Sequence, residues 1–227
     1  MFCVTGDVHG PVDARKLSTV NWPQQRDLTR NDYLIVCGDM GIVWDGGKED
    51  NWWQAWFNSK PFTTLFVDGN HENHVMLGQY PVEIWNGGKI HRIQPNVIHL
   101  MRGQVYNIDG IKFFAMGGAS SRDKSMRTEG IDWWTEEMPS NEEYEEACKN
   151  LEENEWKVDI VISHCAADSI QAAIQPYYEH DKLTNFFEAV VLEKLQYKLW
   201  YFGHYHYDKM IDDKHFALYE TICEVHN

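Results

Sequence analysis

Short apolar runs alternate with polar, glycine-bearing turns along the first half of the chain. Phe2-Cys3-Val4-Thr5 leads into Gly6-Asp7-Val8-His9-Gly10, and Tyr33-Leu34-Ile35-Val36-Cys37 leads into Gly38-Asp39-Met40-Gly41. Thr63-Thr64-Leu65-Phe66-Val67 leads into Asp68-Gly69-Asn70-His71-Glu72. Continuous runs of β-branched and aromatic residues closed by glycine read as buried strands. Between the second and third runs, residues 49–58 carry Trp52, Trp53, Trp56 and Phe57 at helical spacing. Strand, helix, strand predicts parallel pairing through crossover helices. Residues 97–100, 105–108 and 111–116 then follow one another closely, with the hairpin signal Asp109-Gly110 between the last two, so this stretch is expected to be antiparallel. Residues 117–135 read as a long loop rich in Gly, Ser and Arg, and residues 141–155 as an acidic helix with a solvated face. The first pattern returns where residues 158–162 end in Ser163-His164 and residues 199–202 end in Gly203-His204-Tyr205-His206, with an amphipathic helix expected over 182–195 between them. Residues 216–219 are expected to form the last strand. With no linker, repeat or low-complexity tract, one domain over residues 1–227 is the simplest organisation.

Composition narrows the class. The chain has 227 residues, 43% of them apolar and 14% aromatic, with ten Trp, which excludes wholesale disorder. The formal net charge of −15 counts against a general nucleic-acid binder, which needs clustered Lys and Arg to displace counterions. Carboxylate-rich chains suit hard or borderline divalent cations. Five cysteines, an odd number without CxxC spacing, read as small buried hydrophobes in a reducing compartment. Polar chemistry begins by Gly6, and no apolar run reaches 18 residues. A cytoplasmic protein with no membrane partner is expected.

The candidate chemistry gathers at strand ends. Ligands of open sheets collect just outside the carboxyl ends of parallel strands. Five such ends carry metal-type side chains: Asp7 and His9; Asp39; Asn70 and His71; His164; His204 and His206. Carboxylates, imidazoles and one amide suit Mn, Fe, Zn, Co or Ni rather than a structural thiolate zinc. Seven of these eight groups as ligands would exceed the needs of one tetrahedral ion and fit two ions sharing a carboxylate.

Gly6-Asp7-Val8-His9-Gly10, Gly38-Asp39, Gly69-Asn70-His71-Glu72, His164 and Gly203-His204-Tyr205-His206 resemble, in order, the five motifs of the calcineurin-like metallophosphoesterases, in particular small single-domain members of bacterial or phage type. The resemblance spans residues 6–206. It implies an α/β fold, a four-layer αββα sandwich of two mixed β-sheets flanked by helices. It also implies that Asp7, His9 and His206 hold one metal, that Asn70, His164 and His204 hold the other, and that Asp39 bridges them. The two divalent ions are expected to be manganese first, with Fe, Zn, Ni, Co or Mg as alternatives. His71 is implied to be catalytic rather than a ligand, lying near the substrate and assisting the leaving group or the transition-state charge. The implied reaction is hydrolysis of a phosphomonoester or phosphodiester by in-line attack of a hydroxide bridging the two metals.

The sequence departs from the family at the second motif, where Ile42 stands in place of the Asp that orients the catalytic His. Asp45 and Glu72 are the candidates for that task. Arg122 and Arg127, in the long loop, are candidate substrate contacts, since Arg forks suit phosphate oxygens. Trp44 and Trp133 lie in loops and are candidates for stacking on a base or ring; the other tryptophans of these segments (52, 53, 56 and 134) read as core. Cys165 reads as a strand-end core residue or as an oxidation-sensitive neighbour of the site. The expected partner is a small phosphorylated molecule, a nucleotide among the options. The alternatives are a nuclease of the same family and a non-catalytic metal-binding scaffold for a protein partner.

Overall fold

The apolar runs form strands that are buried on both faces. The computed structural model describes residues 1–175, 177–178 and 180–225. The first sheet runs in the order β13 (Ile222–Glu224), β1 (Phe2–Thr5), β2 (Tyr33–Val36), β3 (Thr63–Phe66), β6 (Val97–Leu100), β5 (Gly88–Gln94) and β4 (Val82–Trp85). The second runs β11 (Lys209–Met210), β12 (His215–Ala217), β10 (Leu199–Phe202), β9 (Ile160–Ser163), β8 (Ile111–Met116) and β7 (Gln104–Ile108). Strands β1-β2-β3-β6 are parallel, as are β8-β9-β10-β12, and the outer strands are antiparallel, so both sheets are mixed.

Because successive side chains in a strand point to opposite faces, each run feeds two cores at once. Phe2, Val4, Ile35, Leu65, Phe113, Ala115, Ile160, Ile162 and Tyr201 fill the space between the sheets. Their neighbours Cys3, Leu34, Val36 and Phe66 face outward into one core with Phe57 of α1 (Lys48–Asn58) and Leu77 of α2 (His74–Leu77). Phe114, Met116, Val161, Trp200 and Phe202 face outward on the other side. They meet α3 (Asn141–Glu153), α4 (Asp168–Ile174) and α5 (Lys182–Phe186). Helices, sheet, sheet and helices make the four layers. Among the described residues, no helix is long and apolar enough to cross a membrane.

Several local expectations are corrected. Strand β6 does not pair with β7; it joins the first sheet beside β3, and the chain crosses to the second sheet at residues 101–103. The β7–β8 hairpin forms as read, with Asp109 and Gly110 at φ 52° and 84°, the two positive values a type I′ turn requires. Asn86-Gly87 makes a second such turn, joining β4 to β5. Residues 216–219 are not the last strand: β12 ends at Ala217, and β13 returns to pair with β1. The 182–195 helix widens into a π-helical stretch over Phe187–Leu192. Helix α3 is acidic outside but buries Tyr144, Ala147 and Leu151. Trp52 is 56% exposed rather than core.

The topology brings the carboxyl ends of β1, β2 and β3 against those of β9 and β10. His164 donates from Nδ1 to Cys37 O at 2.8 Å, and His204 N–H donates to Asp7 Oδ1 at 2.8 Å, so the sheets are joined at this edge.

The layer assignment predicts unequal costs. Phe114→Ala should destabilise the fold by about 3–5 kcal/mol, whereas Trp52→Ala should stay within about 0.5 kcal/mol. Urea denaturation of both variants checks this, and equal costs would contradict the layers described.

Candidate metal centre

The site residues sit just past strands, four of them on sharply bent backbone. His9, Asp39, His204 and His206 adopt left-handed φ values of 47°, 46°, 68° and 53°. Non-glycine residues rarely do so, and such strain collects where the surrounding structure over-determines it. Two glycines make room for neighbouring groups. A Cβ on Gly38 would collide with the His164 ring, and one on Gly203 with the Asp7 carboxylate. Below Asp7, the buried ammonium of Lys16 donates to the carbonyls of Gly6 and Asp7, at 3.3 and 2.6 Å, and to that of Tyr219.

The donor atoms converge in two overlapping groups. His164 Nε2 lies 3.4 Å from Asp39 Oδ2, 3.1 Å from Asn70 Oδ1 and 3.3 Å from His204 Nδ1. On the other side, His9 Nε2 lies 3.2 Å from Asp39 Oδ2, and His206 Nε2 lies 3.1 Å from Asp7 Oδ2. Asp39 Oδ2 thus belongs to both groups, while its Oδ1 accepts the His71 N–H at 2.7 Å. An octahedral ion with bonds of about 2.1 Å holds adjacent donors about 3.0 Å apart, close to these spacings. Asp7 Oδ2 is buried and receives no well-aligned hydrogen bond among the described residues. A buried carboxylate oxygen left this way fits a cation.

Outer groups fix the donors. His9 Nδ1 pairs with Asp13 Oδ2 at 2.8 Å, and the His164 bond to Cys37 O leaves its Nε2 for the centre. Asn70 Nδ2 donates to Ser121 Oγ at 3.2 Å, and Ser121 Oγ donates to Glu137 Oε2 at 2.6 Å, so Asn70 Oδ1 faces inward. His206 stacks on Tyr219 with centroids 4.7 Å apart. Such partners set tautomer and orientation in metal sites. Asp13, Lys16, Ser121, Glu137 and Tyr219 were not read from the sequence. Only Asp13, four residues after His9, leaves a local signal.

The model of the calcineurin-like phosphoesterase family matches residues 1–208. The chain belongs to the calcineurin-like phosphoesterases. It is also similar to lariat debranching enzyme A of Xenopus laevis, 25% identical over 136 residues, which cover 54% of this chain and 23% of that protein. The match therefore spans about a quarter of the length of that curated relative.

In this phosphoesterase neither expected partner orients His71. Glu72 is buried and accepts from Met40 N–H at 2.6 Å, and Asp45 accepts from Gly47 N–H at 2.6 Å. Ile42, at the position of the family's Asp, is fully buried in the outer core. Arg127 Nη1 instead reaches to 3.4 Å from His71 Nδ1. A guanidinium only donates, so Nδ1 accepts and the ring proton sits on Nε2. Burial and the nearby Arg127 charge hold the His71 pKa below its ordinary value, against the pull of Asp39. Arg122 and Arg127 line a cavity of ≈ 380 Å³ beside Asp39, Asn70 and His71. Trp44 lines a neighbouring cavity of ≈ 330 Å³, while Trp133 lies under Lys124, 5.3 Å from its Nζ. Cys165 is buried in the outer core of the second sheet, and burial pushes its thiol well up, which suits a core residue.

The charges around the centre determine how cations would enter. Burial alone would strip the His164 proton, but Asp39 and Asp7 pull its pKa up to about 10. Burial likewise opposes the His9 proton, and the Asp39 and Asp7 carboxylates raise that group to about 9. Burial and the His164 charge drive His204 down to about 3. At neutral pH two imidazoles therefore hold protons that a metal must displace. Metal loading at pH 7 should release about two protons per chain, and affinity should rise with pH until it levels near pH 10. A pH-stat titration with Mn²⁺ checks this; uptake without proton release would contradict the assignment. Gly38→Ala should lose metal occupancy by displacing His164, as elemental analysis would show.

Proposed function

We propose that the chain is a dinuclear, metal-dependent phosphoric ester hydrolase. The single observation that supports this most is the position of Asp39 Oδ2, which belongs to both donor groups. Asp7, His9, His206 and Asp39 would hold one divalent ion; Asn70, His164, His204 and Asp39 would hold the other, with manganese the first candidate. When bound, such a pair supplies Lewis-acid charge to phosphoryl oxygens and a nucleophilic water at neutral pH.

The chain's own residues supply the rest. The carboxylates of Asp7 and Asp39 offset the cationic charge and fix where the phosphorus sits. His71 carries its proton on Nε2, turned by Arg127, and would hold it in a hydrogen bond to the ester oxygen that takes on charge as the P–O bond breaks. Such a positioned donor contributes roughly 10²–10⁴-fold. Arg122 and Arg127 add donors for the phosphoryl oxygens.

The name of the Xenopus relative raises a nuclease as a second reading, but the net charge of −15 and the lack of a basic stripe weigh against it. A scaffold role is weakened by the presence of every donor and of His71.

The decisive assay is hydrolysis of p-nitrophenyl phosphate and bis-p-nitrophenyl phosphate by chelated protein with Mn, Fe, Ni, Co, Zn or Mg restored. Turnover should return with metal only. Failure with every ion, in protein that binds two ions per chain, would overturn the reading. Asp39→Asn should lose both metal and activity. His71→Ala should keep its metal and slow turnover on the order of 10²–10⁴-fold. Arg127→Ala should lower kcat by about tenfold with metal content unchanged.

A further inference from the structure

His71 stands between two cavities of opposite character. The first, of ≈ 330 Å³, is lined by Trp44, Val12, Asp45, Glu49 and His71. The second, of ≈ 380 Å³, is lined by Arg122, Arg127, Asp39, Asn70 and His71. Both fall within the range of about 300–1,000 Å³ seen for small-molecule sites. A monoester needs one cavity for its organic group and a cradle for the phosphate. Two cavities meeting at the proton donor suit a phosphorus with substituents on both sides.

The first cavity has a rigid aromatic wall. Trp44 meets Trp134 edge-to-face, with centroids 5.1 Å apart at 89°, and Trp134 is buried. The backbone N–H of Trp44 donates to Asp50 Oδ2 at 2.7 Å, and its backbone carbonyl accepts from Asn73 Nδ2 at 2.6 Å. The buried Asp50 carboxylate also takes the N–H groups of Asp45 and Gly46, at 3.0 and 2.8 Å. The backbone of Trp44 is therefore fixed and its ring rests on the buried Trp134 before any ligand arrives, which lowers the entropy cost of stacking. His9 and His71 border this cavity at the metal centre; its carboxylates, Asp45, Glu49 and Asp50, only accept hydrogen bonds when ionised, and they repel a phosphate. A flat, uncharged ring with N–H donors matches them.

The second cavity favours the opposite charge. Arg122 is exposed and has no ion-pair partner among the described residues. Asp123, the acid nearest to it on the loop, is neutralised by Arg127 at 2.8 Å. A guanidinium fork that meets no acid among the described residues, beside the centre, suits a phosphate or a second anionic ester.

We propose that the substrate is a nucleoside phosphate whose reacting phosphorus carries two substituents, with the nucleoside seated against Trp44 and a second anionic group against Arg122. This rests on the phosphoesterase reading and names the substrate class of that same site. It makes Trp44 and Arg122 the residues that set specificity.

The test is equilibrium binding to Mn²⁺-loaded protein, with three probes: adenosine 5′-methylenediphosphonate, methylenediphosphonate alone, and adenosine monophosphate. Adding the adenosine group should tighten binding on the order of 10–100-fold, the range measured for base–aromatic stacking. Trp44→Ala should reduce that gain to a few-fold, while Trp44→Phe should keep most of it. Trp52→Ala, remote from the cavity, should leave it intact. Arg122→Ala should shrink the preference for the diphosphonate over adenosine monophosphate by about tenfold. A wild-type gain of only a few-fold would overturn the proposal. So would a full gain in Trp44→Ala protein of wild-type metal content and melting temperature. Binding is read without turnover, so either result leaves hydrolysis of simple esters untouched. Ring-dependent binding with no hydrolysis of any ester by any ion would overturn the esterase reading, and with it the claim that the ligand is a substrate.

Discussion

Two carboxylates, Asp7 and Asp39, lie at 0% and 1% exposure at the meeting edge of two sheets, and most of the site follows from keeping them there. Burying one unpaired carboxylate costs several kcal/mol or more. This fold offsets the cost with backbone donors, from His204 to Asp7 and from His71 to Asp39, and with imidazoles packed between the two acids. Lys16 places a positive charge beneath Asp7 without touching its carboxylate. The partners come from both sheets, so the charge cluster joins them. The left-handed backbone at His9, Asp39, His204 and His206 belongs to the same arrangement: the strand ends must bend sharply to aim their side chains at one point. Without a cation the cluster stays charged through the protons on His9 and His164, and a cation takes over where those protons leave.

A second buried pair supports the centre from behind. Asp68, two residues before Asn70, accepts from Arg102 Nε and Nη2 at 2.8 and 2.5 Å and from His99 Nε2 at 3.1 Å. Burial opposes its charge, but Arg102 and His99 hold it far below the usual carboxylate range. Arg102 continues to the carbonyls of Glu136 and Glu137, and Glu137 grips Ser121, which holds the Asn70 amide. The long loop is therefore fastened to the β3 end by charge-assisted bonds at both ends of a short path. This is how a segment without regular structure can hold Arg122 and Arg127 beside the centre.

How much of this was legible in the sequence follows from where each signal lies. The strands were readable because runs such as Phe113-Phe114-Ala115-Met116 are apolar at consecutive positions, which only burial on both faces explains. The metal-type residues were readable because each follows the end of an apolar run, marked by glycine at every end but that of His164. The sheet that β6 joins was not readable, since the 97–100 run is equally apolar in either sheet. Strand β13 was missed because Ile222-Cys223-Glu224 is too short to stand out, and its pairing with β1 spans the whole chain. Ser121, Glu137 and Lys16 were missed for a related reason: each acts on a group far away in sequence, and nothing in its own neighbourhood marks it.

The most informative departure is at Ile42. Where the family's second motif would place an Asp, this chain has an apolar side chain facing its core, and the His71 ring meets a guanidinium from residue 127. An acid partner stabilises a charged imidazolium; a guanidinium opposes one and selects the neutral ring with its proton on Nε2. In the role proposed for it, His71 would serve better as a hydrogen-bond donor to developing charge than as a strong acid. Catalysis of that kind suits leaving groups that need little protonation, such as phosphates and acidic alcohols, more than simple alkoxides. A second anionic group held at Arg122 would be such a leaving group, so the substitution at Ile42 and the charge of the second cavity point to the same chemistry.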